Sequence, residues 1–170
     1  MEKPVLDATC GSRMIWFNKK NDLAMFVDRR EMDAEAIWTS TKNDSIRTCT
    51  IHPDILADFT CLPFEDETFY HVVFDPPHLI NVSENAWMYK KYGKIEKDTW
   101  KQVLHDGFHE CMRVLKPHGT LIFKWNEIQI PTKEVIKAIG VDPLYGNRSG
   151  KQGKTHWMAF IKEDKTVWRT

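Results

Sequence analysis

At 170 residues, with 42% hydrophobic and 28% charged side chains, the chain has the composition of one ordinary globular domain, able to bury roughly two thirds of its unfolded surface without disulfides or a structural metal. Its 24 basic and 24 acidic side chains cancel, which excludes binding to nucleic acid through bulk positive charge and leaves only local patches for such contacts. Cys10, Cys49, Cys61 and Cys111 form no Cys-x-x-Cys pair, no apolar run approaches the ~18 residues of a membrane span, and no apolar signal segment follows Met1; free thiols, a cytoplasmic location and no membrane partner are expected.

Short apolar runs alternate with longer amphipathic stretches, the pattern of an α/β fold with a parallel sheet. A first strand over 5–8 runs into the small-residue turn Asp7-Ala8-Thr9-Cys10-Gly11-Ser12-Arg13, and a short helix over 12–20 is predicted with Ser12 as its cap. Strands over 23–27 and 55–57 end in Asp28-Arg29 and Asp58-Phe59, and a strand over 71–74 ends in Asp75-Pro76-Pro77-His78. The stretch 79–97 then interleaves Trp87, Tyr89 and Tyr92 with Lys90, Lys91, Lys94 and Lys97 against Glu84 and Glu96. Trp100, Val103, Leu104, Phe108, Cys111, Met112 and Leu115 recur at three- and four-residue steps, predicting a helix over 98–115 with one apolar stripe. Lys116-Pro117-His118-Gly119 stops that helix, with Gly119 expected to take the positive φ. Beyond it lie a strand over 120–125 that closes in Lys124-Trp125-Asn126-Glu127, a helix over 131–140, a strand over 141–144, a mobile glycine-rich basic loop over 146–154 and a last strand over 157–161. No internal repeat or linker divides residues 1–170, so a single catalytic domain without a separate target-recognition domain is expected.

In an open α/β sheet the ligand sits outside the carboxyl ends of the strands, which is where the carboxylates collect. Asp28 stands where a carboxylate accepts from ribose hydroxyls, with a solvated strand end as the alternative. Asp58 stands where one accepts from an adenine amine beside Phe59, with a turn cap as the alternative. Asp75-Pro76-Pro77-His78 is the sharpest signal. Two prolines fix φ and remove two donors, leaving the Asp75 carboxylate and nearby carbonyls to accept both hydrogens of a planar amine, while His78 offers a ring that stacks or accepts a proton.

Together these fragments resemble the class I S-adenosylmethionine-dependent methyltransferases over nearly all of the chain. More narrowly, Asp7-Ala8-Thr9-Cys10-Gly11-Ser12 resembles the D-P-F-C-G-S loop, and Asp75-Pro76-Pro77-His78 the D-P-P-Y tetrapeptide, of amino-methyltransferases acting on adenine N6 or cytosine N4. The Ala57-Asp58-Phe59, Leu62-Pro63-Phe64 and Arg113-to-Thr120 fragments are also similar to that family. The resemblance implies a Rossmann-like class I methyltransferase fold: a seven-stranded, mostly parallel sheet, an antiparallel last strand and helices on both faces. It implies S-adenosylmethionine as cofactor and no metal. It implies cofactor contacts from Asp7, Ala8, Thr9, Cys10, Gly11, Ser12, Arg13, Asp28, Arg29, Asp58 and Phe59, and catalysis by Asp75, Pro76, Pro77 and His78. Arg13 replaces a usual glycine, so its loop adopts a conformation open to an L-residue or brings the guanidinium to the cofactor carboxylate. Trp87, Tyr89, Lys90, Lys91, Tyr92, Lys124, Asn126, Arg148 and Lys151 are the candidate substrate contacts, with DNA favoured over RNA. A homodimer mate or a separate specificity subunit is a candidate partner. Two other readings share these residues: methylation of a glutamine amide or small-molecule amine, and a catalytically silent methyltransferase-like binding subunit.

Overall fold

The computed structural model describes residues 3–39 and 45–164, apart from the side chains of 35–38. Its elements are β1 (Val5–Asp7), β2 (Ala24–Asp28), β3 (Met32–Thr39), β4 (Ile46–Ile51), β5 (Ile55–Leu56), β6 (Phe69–Phe74), α1 (Trp87–Tyr92), α2 (Trp100–Val114), β7 (Leu115–Asn126), α3 (Thr132–Ile139), β8 (Tyr145–Ser149) and β9 (Thr155–Ile161). Seven strands form one sheet in the order β5-β2-β1-β6-β7-β9-β8, and β3 and β4 form a separate antiparallel hairpin. The strands from β5 to β7 run parallel and β9 is antiparallel to both its neighbours, so the carboxyl ends of β1, β2, β5, β6, β7 and β8 share one edge.

Alternation along the central strands divides the interior in two. Leu6, Val27, Val72, Phe74, Leu121, Phe123, Met158 and Phe160 point to one face, where α2 and α3 cover them with Leu104, Phe108, Met112, Val135 and Ile139. Ala24 and Phe26 point to the other face and pack with Cys10, Val5 and Trp16 in a much smaller cluster. Gly107, in mid-α2, is required by a close approach: a Cβ there would stand 2.3 Å from the ring of Phe59. Arg113, near the end of α2, donates to Glu110, Asp66 and the carbonyls of Leu62 and Phe64, and so ties down the chain that follows β5.

Four expectations change. No helix forms over 12–20: Gly11 and Arg13 take φ of +47° and +54°, and Trp16 turns inward to donate from Nε1 to Asp7, breaking any helical course. The face opposite α2 and α3 is therefore covered here by a loop rather than the helix expected of it. The β3–β4 hairpin, where the sequence offered no strand, stands between β2 and β5. The strand expected over 141–144 is displaced to Tyr145–Ser149, because Asp142-Pro143 interrupts the run and the ladder with β9 starts only at the Leu144 N–H, which donates to Ala159. The glycine-rich stretch thus supplies β8, and only its turn at Gly150–Gly153 is loop. Finally His118, not Gly119, takes the positive φ, at +61°.

Candidate active site

The shared carboxyl edge is assembled from three loops fastened to one another. After β1, Asp7 Oδ1 accepts from the Thr9 N–H and Oδ2 from Trp16 Nε1. The Thr9 hydroxyl oxygen then accepts from the Asp75 N–H at 2.8 Å, joining this loop to the turn after β6. After β2, Asp28 accepts from the Gly11 N–H at 2.9 Å and from the N–H and Nε of Arg30. A Cβ on Gly11 would meet nothing within 4 Å, so the loop presents its backbone to open space.

Two small adjoining cavities run along this edge and share Thr9, Arg30, Asp75, Pro77 and Tyr92. Asp7, Cys10, Gly11, Ser12, Met14, Ile15, Pro76, His78 and Lys91 complete the first. Ala8, Asp28, Arg29 and Phe59 complete the second. The segment between β6 and α2 closes over both: Arg30 donates to the Lys90 carbonyl and Arg29 to the Lys94 carbonyl, which holds α1 and the turn after it against the loop after β2.

Asp75 stands where the cavities meet. Its Oδ2 accepts from Lys124 Nζ on β7, while burial pushes its carboxyl above the ordinary range against the pull of that cation. The same ammonium lies 5.6 Å from the ring of Trp157, which faces this side of the sheet instead of the core. His78 is pushed down to about 4, chiefly by burial and further by the Lys124 charge, so its ring is neutral at pH 7; it lies 5.4 Å from Tyr92. Burial pushes Asp7 up to about 7, with Asp75 and Asp28 adding to the effect against the hydrogen bonds of Trp16 and Thr9. It also pushes the Cys10 thiol up to about 12, which removes that sulfur as a nucleophile at neutral pH.

The structure therefore gathers Asp7, Ala8, Thr9, Cys10, Gly11, Ser12, Asp28, Arg29, Phe59, Asp75, Pro76, Pro77, His78, Lys91 and Tyr92 around one groove, with Lys124 bonded to Asp75. It does not bring the Arg13 guanidinium there. That group donates to the carbonyls of Lys19 and His52 and to Asp54, and lies 3.8 Å over the Phe26 ring. These contacts offset the ~1 kcal/mol of strain that a left-handed conformation costs an L-residue. Asp58 lines neither cavity and caps its own turn by accepting from the Thr60 N–H and hydroxyl. Asn126 is likewise spent on its turn, accepting from the Ile128 N–H and donating to Thr155. Trp87, Tyr89 and Lys90 belong to α1 but line neither cavity, and Arg148 and Lys151 stand exposed near the β8–β9 turn on the same edge. Arg30, absent from the sequence reading, lines both cavities; its position two residues beyond the carboxylate of a strand end was the one available signal.

No protein-family profile and no curated protein sequence matches the chain. Solved structures do. A SAM-dependent methyltransferase from Methanosarcina mazei superposes with a TM-score of 0.51 at 13% identity, over 94% of this chain and 92% of that one. A SAM-dependent methyltransferase from Leishmania major superposes with a TM-score of 0.50 at 15% identity, over 93% of this chain and 63% of that one. A Pyrococcus horikoshii protein superposes with a TM-score of 0.43 at 17% identity, over 64% of this chain and 58% of that one. The chain thus spans less than two thirds of the length of two of these three proteins. The likeness establishes the fold: a Rossmann-like, class I methyltransferase fold with a seven-stranded, mostly parallel sheet. No helix among the described residues is long and apolar enough to cross a membrane.

Proposed function

We propose that this protein is an S-adenosylmethionine-dependent N-methyltransferase acting on the exocyclic amino group of a nucleobase, adenine N6 or cytosine N4. The observation that carries the reading is the placement of Asp75-Pro76-Pro77 at the meeting point of two cavities on the carboxyl edge, with Thr9 and Lys124 fixing Asp75 from either side. The cofactor suits the residues present. The open space at Gly11 admits a ligand against backbone, Asp28 supplies carboxylate oxygens at the end of β2, and Phe59 gives an aromatic wall. Asp28 already accepts three protein hydrogen bonds, so ribose hydroxyls would share it with Arg30 or displace that side chain.

When bound, S-adenosylmethionine supplies an electrophilic methyl group on a sulfonium. The chain's own part is alignment, exclusion of water and disposal of a proton. Asp75 Oδ1, left over from the Lys124 contact, and the Pro76 carbonyl accept the two amine hydrogens and hold the nitrogen in one orientation. Lys124 favours the charged form of Asp75 against the burial that raises its carboxyl, and in that form the carboxylate stabilises positive charge developing on the amine and takes the proton afterwards. His78, neutral and beside Tyr92, serves as a stacking surface for a planar base rather than as the base that removes the proton. Incubation with methyl-labelled S-adenosylmethionine and single-stranded DNA, duplex DNA, RNA, peptide glutamine or free amines, followed by nucleoside analysis, tests the reading. Label in N6-methyladenine or N4-methylcytosine supports it; label only in amide or free amine replaces it with the alternative acceptor.

A further inference from the structure

A third, wider groove adjoins the first cavity and shares Gly11, Ser12, Met14 and Lys91 with it. It runs between the loop after β1 and strand β4. The cations Arg13, Lys19, Lys20, Arg47 and Lys91 line it, and none of its lining residues is a carboxylate. Outside the lining, Asp54 pairs with Arg13 at 3.0 Å as well as with Lys3, and Glu31 and Asp33 stand beside the lining residue His52, so the groove's positive character rests chiefly on Lys19, Lys20, Arg47 and Lys91. In a chain of zero net charge this is a local excess of positive charge, gathered from residues 19, 20, 47 and 91.

The wall that carries Lys19 and Lys20 is a built loop. Arg13 holds the Lys19 carbonyl at 2.6 Å and the His52 carbonyl at 2.7 Å, and Asn18 Oδ1 accepts from the Lys20 N–H. Because Trp16 is turned inward onto Asp7 and Phe26, its neighbour Phe17 is thrown outward and is fully exposed, at 110% of the reference area. Met14, at the rim, is 56% exposed. Phe17 does not line the groove itself but stands two and three positions before Lys19 and Lys20 on the loop that walls it. An exposed ring on the same loop as these ammonium groups suits an unpaired base and its phosphates, since the ring stacks with any base and the cations attract the backbone. A duplex buries its base faces and gives Phe17 nothing to stack on.

We infer that this groove binds the backbone of a single-stranded polynucleotide, with one base on Phe17 and the strand passing Lys91 toward Asp75. The inference deepens the proposed function by naming the substrate as unpaired nucleic acid, and it rests on that reading only for which nucleotide reaches Asp75. Binding is measured without cofactor or turnover, so failure of methyl transfer leaves the test intact. Fluorescence anisotropy of labelled 16-nucleotide single-stranded DNA, single-stranded RNA and duplex DNA across a salt series, with AMP and inorganic polyphosphate as competitors, supplies the arms. The expected result is tighter binding of at least one single strand than of the duplex. Lys19→Glu with Lys20→Glu should weaken that binding more than tenfold and lower the log–log salt slope by about two. Phe17→Ala should weaken it by about tenfold with the slope unchanged. Unchanged melting temperatures and S-adenosylmethionine affinity show that both variants fold. Equal binding of duplex and single strand, equal binding by wild type and both variants, or competition by polyphosphate as strong as by oligonucleotide with Phe17→Ala silent, would each overturn the inference.

Discussion

The two faces of the sheet are built on different principles. Over one, α2 and α3 close a continuous apolar core in which Leu104, Phe108, Met112, Val135 and Ile139 are fully buried. Over the other, the loop after β1 packs Cys10 and Trp16 onto Ala24, Phe26 and Val5, lays Arg13 over Phe26, and is otherwise held by hydrogen bonds that Arg13 donates and that Asp7 and Asn18 accept. The helical face carries stability. The loop face carries the cavities at the strand ends, lined by backbone, carboxylates and cations, which form the proposed ligand site.

Substitutions on the two faces should therefore separate folding from function. The largest effect belongs to the helical face: Phe108→Ala removes a fully buried ring and should cost about 3–5 kcal/mol in denaturant unfolding. Asp75→Ala, on the loop side, should lower methyl transfer by at least ~10²-fold with little change in melting temperature. Gly107→Ala bridges the faces. Helix propensity alone predicts a gain of about 1 kcal/mol. With Phe59 in the way the variant should instead lose roughly 1–3 kcal/mol and weaken cofactor binding as the ring is driven toward the cavity. A stabilised Gly107→Ala with unchanged affinity would show that the Phe59 wall moves freely.

The smallest effects are pH-dependent. Asp7 has its folded pKa raised to about 7, so its contribution to stability is fully present below the unfolded value of 3.8 and is lost as pH rises through 7. Asp7→Asn should gain on wild type in melting temperature between pH 5 and 8. His78, pushed down to about 4, acts oppositely: its contribution is present above 6.5 and is lost as pH falls toward 4. His78→Phe should gain on wild type over that lower window. Curves that run parallel to wild type would remove both groups from the buried site.

Sequence reasoning was strongest where local chemistry decides the outcome. The periodic stripe of α2, the apolar β2 and β6 and the Asp-Pro-Pro turn follow from the residues themselves, and the strand-end rule led to Asp28 and Asp75. It was weakest where tertiary contacts override local pattern. Arg13 was drawn to the cofactor by its place in the loop, but the His52 carbonyl and Asp54, about forty positions away in sequence, capture it. Nothing local shows that Trp16 turns in while Phe17 turns out, since both are aromatic and the choice rests on Asp7. The β8 strand is masked by Gly146 and Asn147, because the antiparallel ladder with β9 compensates for their poor strand propensity. Arg30 was silent in the sequence for the same reason: it matters through the Lys90 carbonyl, sixty residues on.

The carboxyl edge of β1, β2 and β6 is the proposed cofactor groove, with Asp75 at its acceptor end. Isothermal titration of S-adenosylmethionine into wild type, Asp28→Ala and Asp75→Ala tests it most directly. Saturable binding to wild type, loss of at least ~tenfold in affinity with Asp28→Ala, and nearly unchanged affinity with Asp75→Ala are expected. No binding to the folded wild-type protein, or equal binding to wild type and Asp28→Ala, would contradict it.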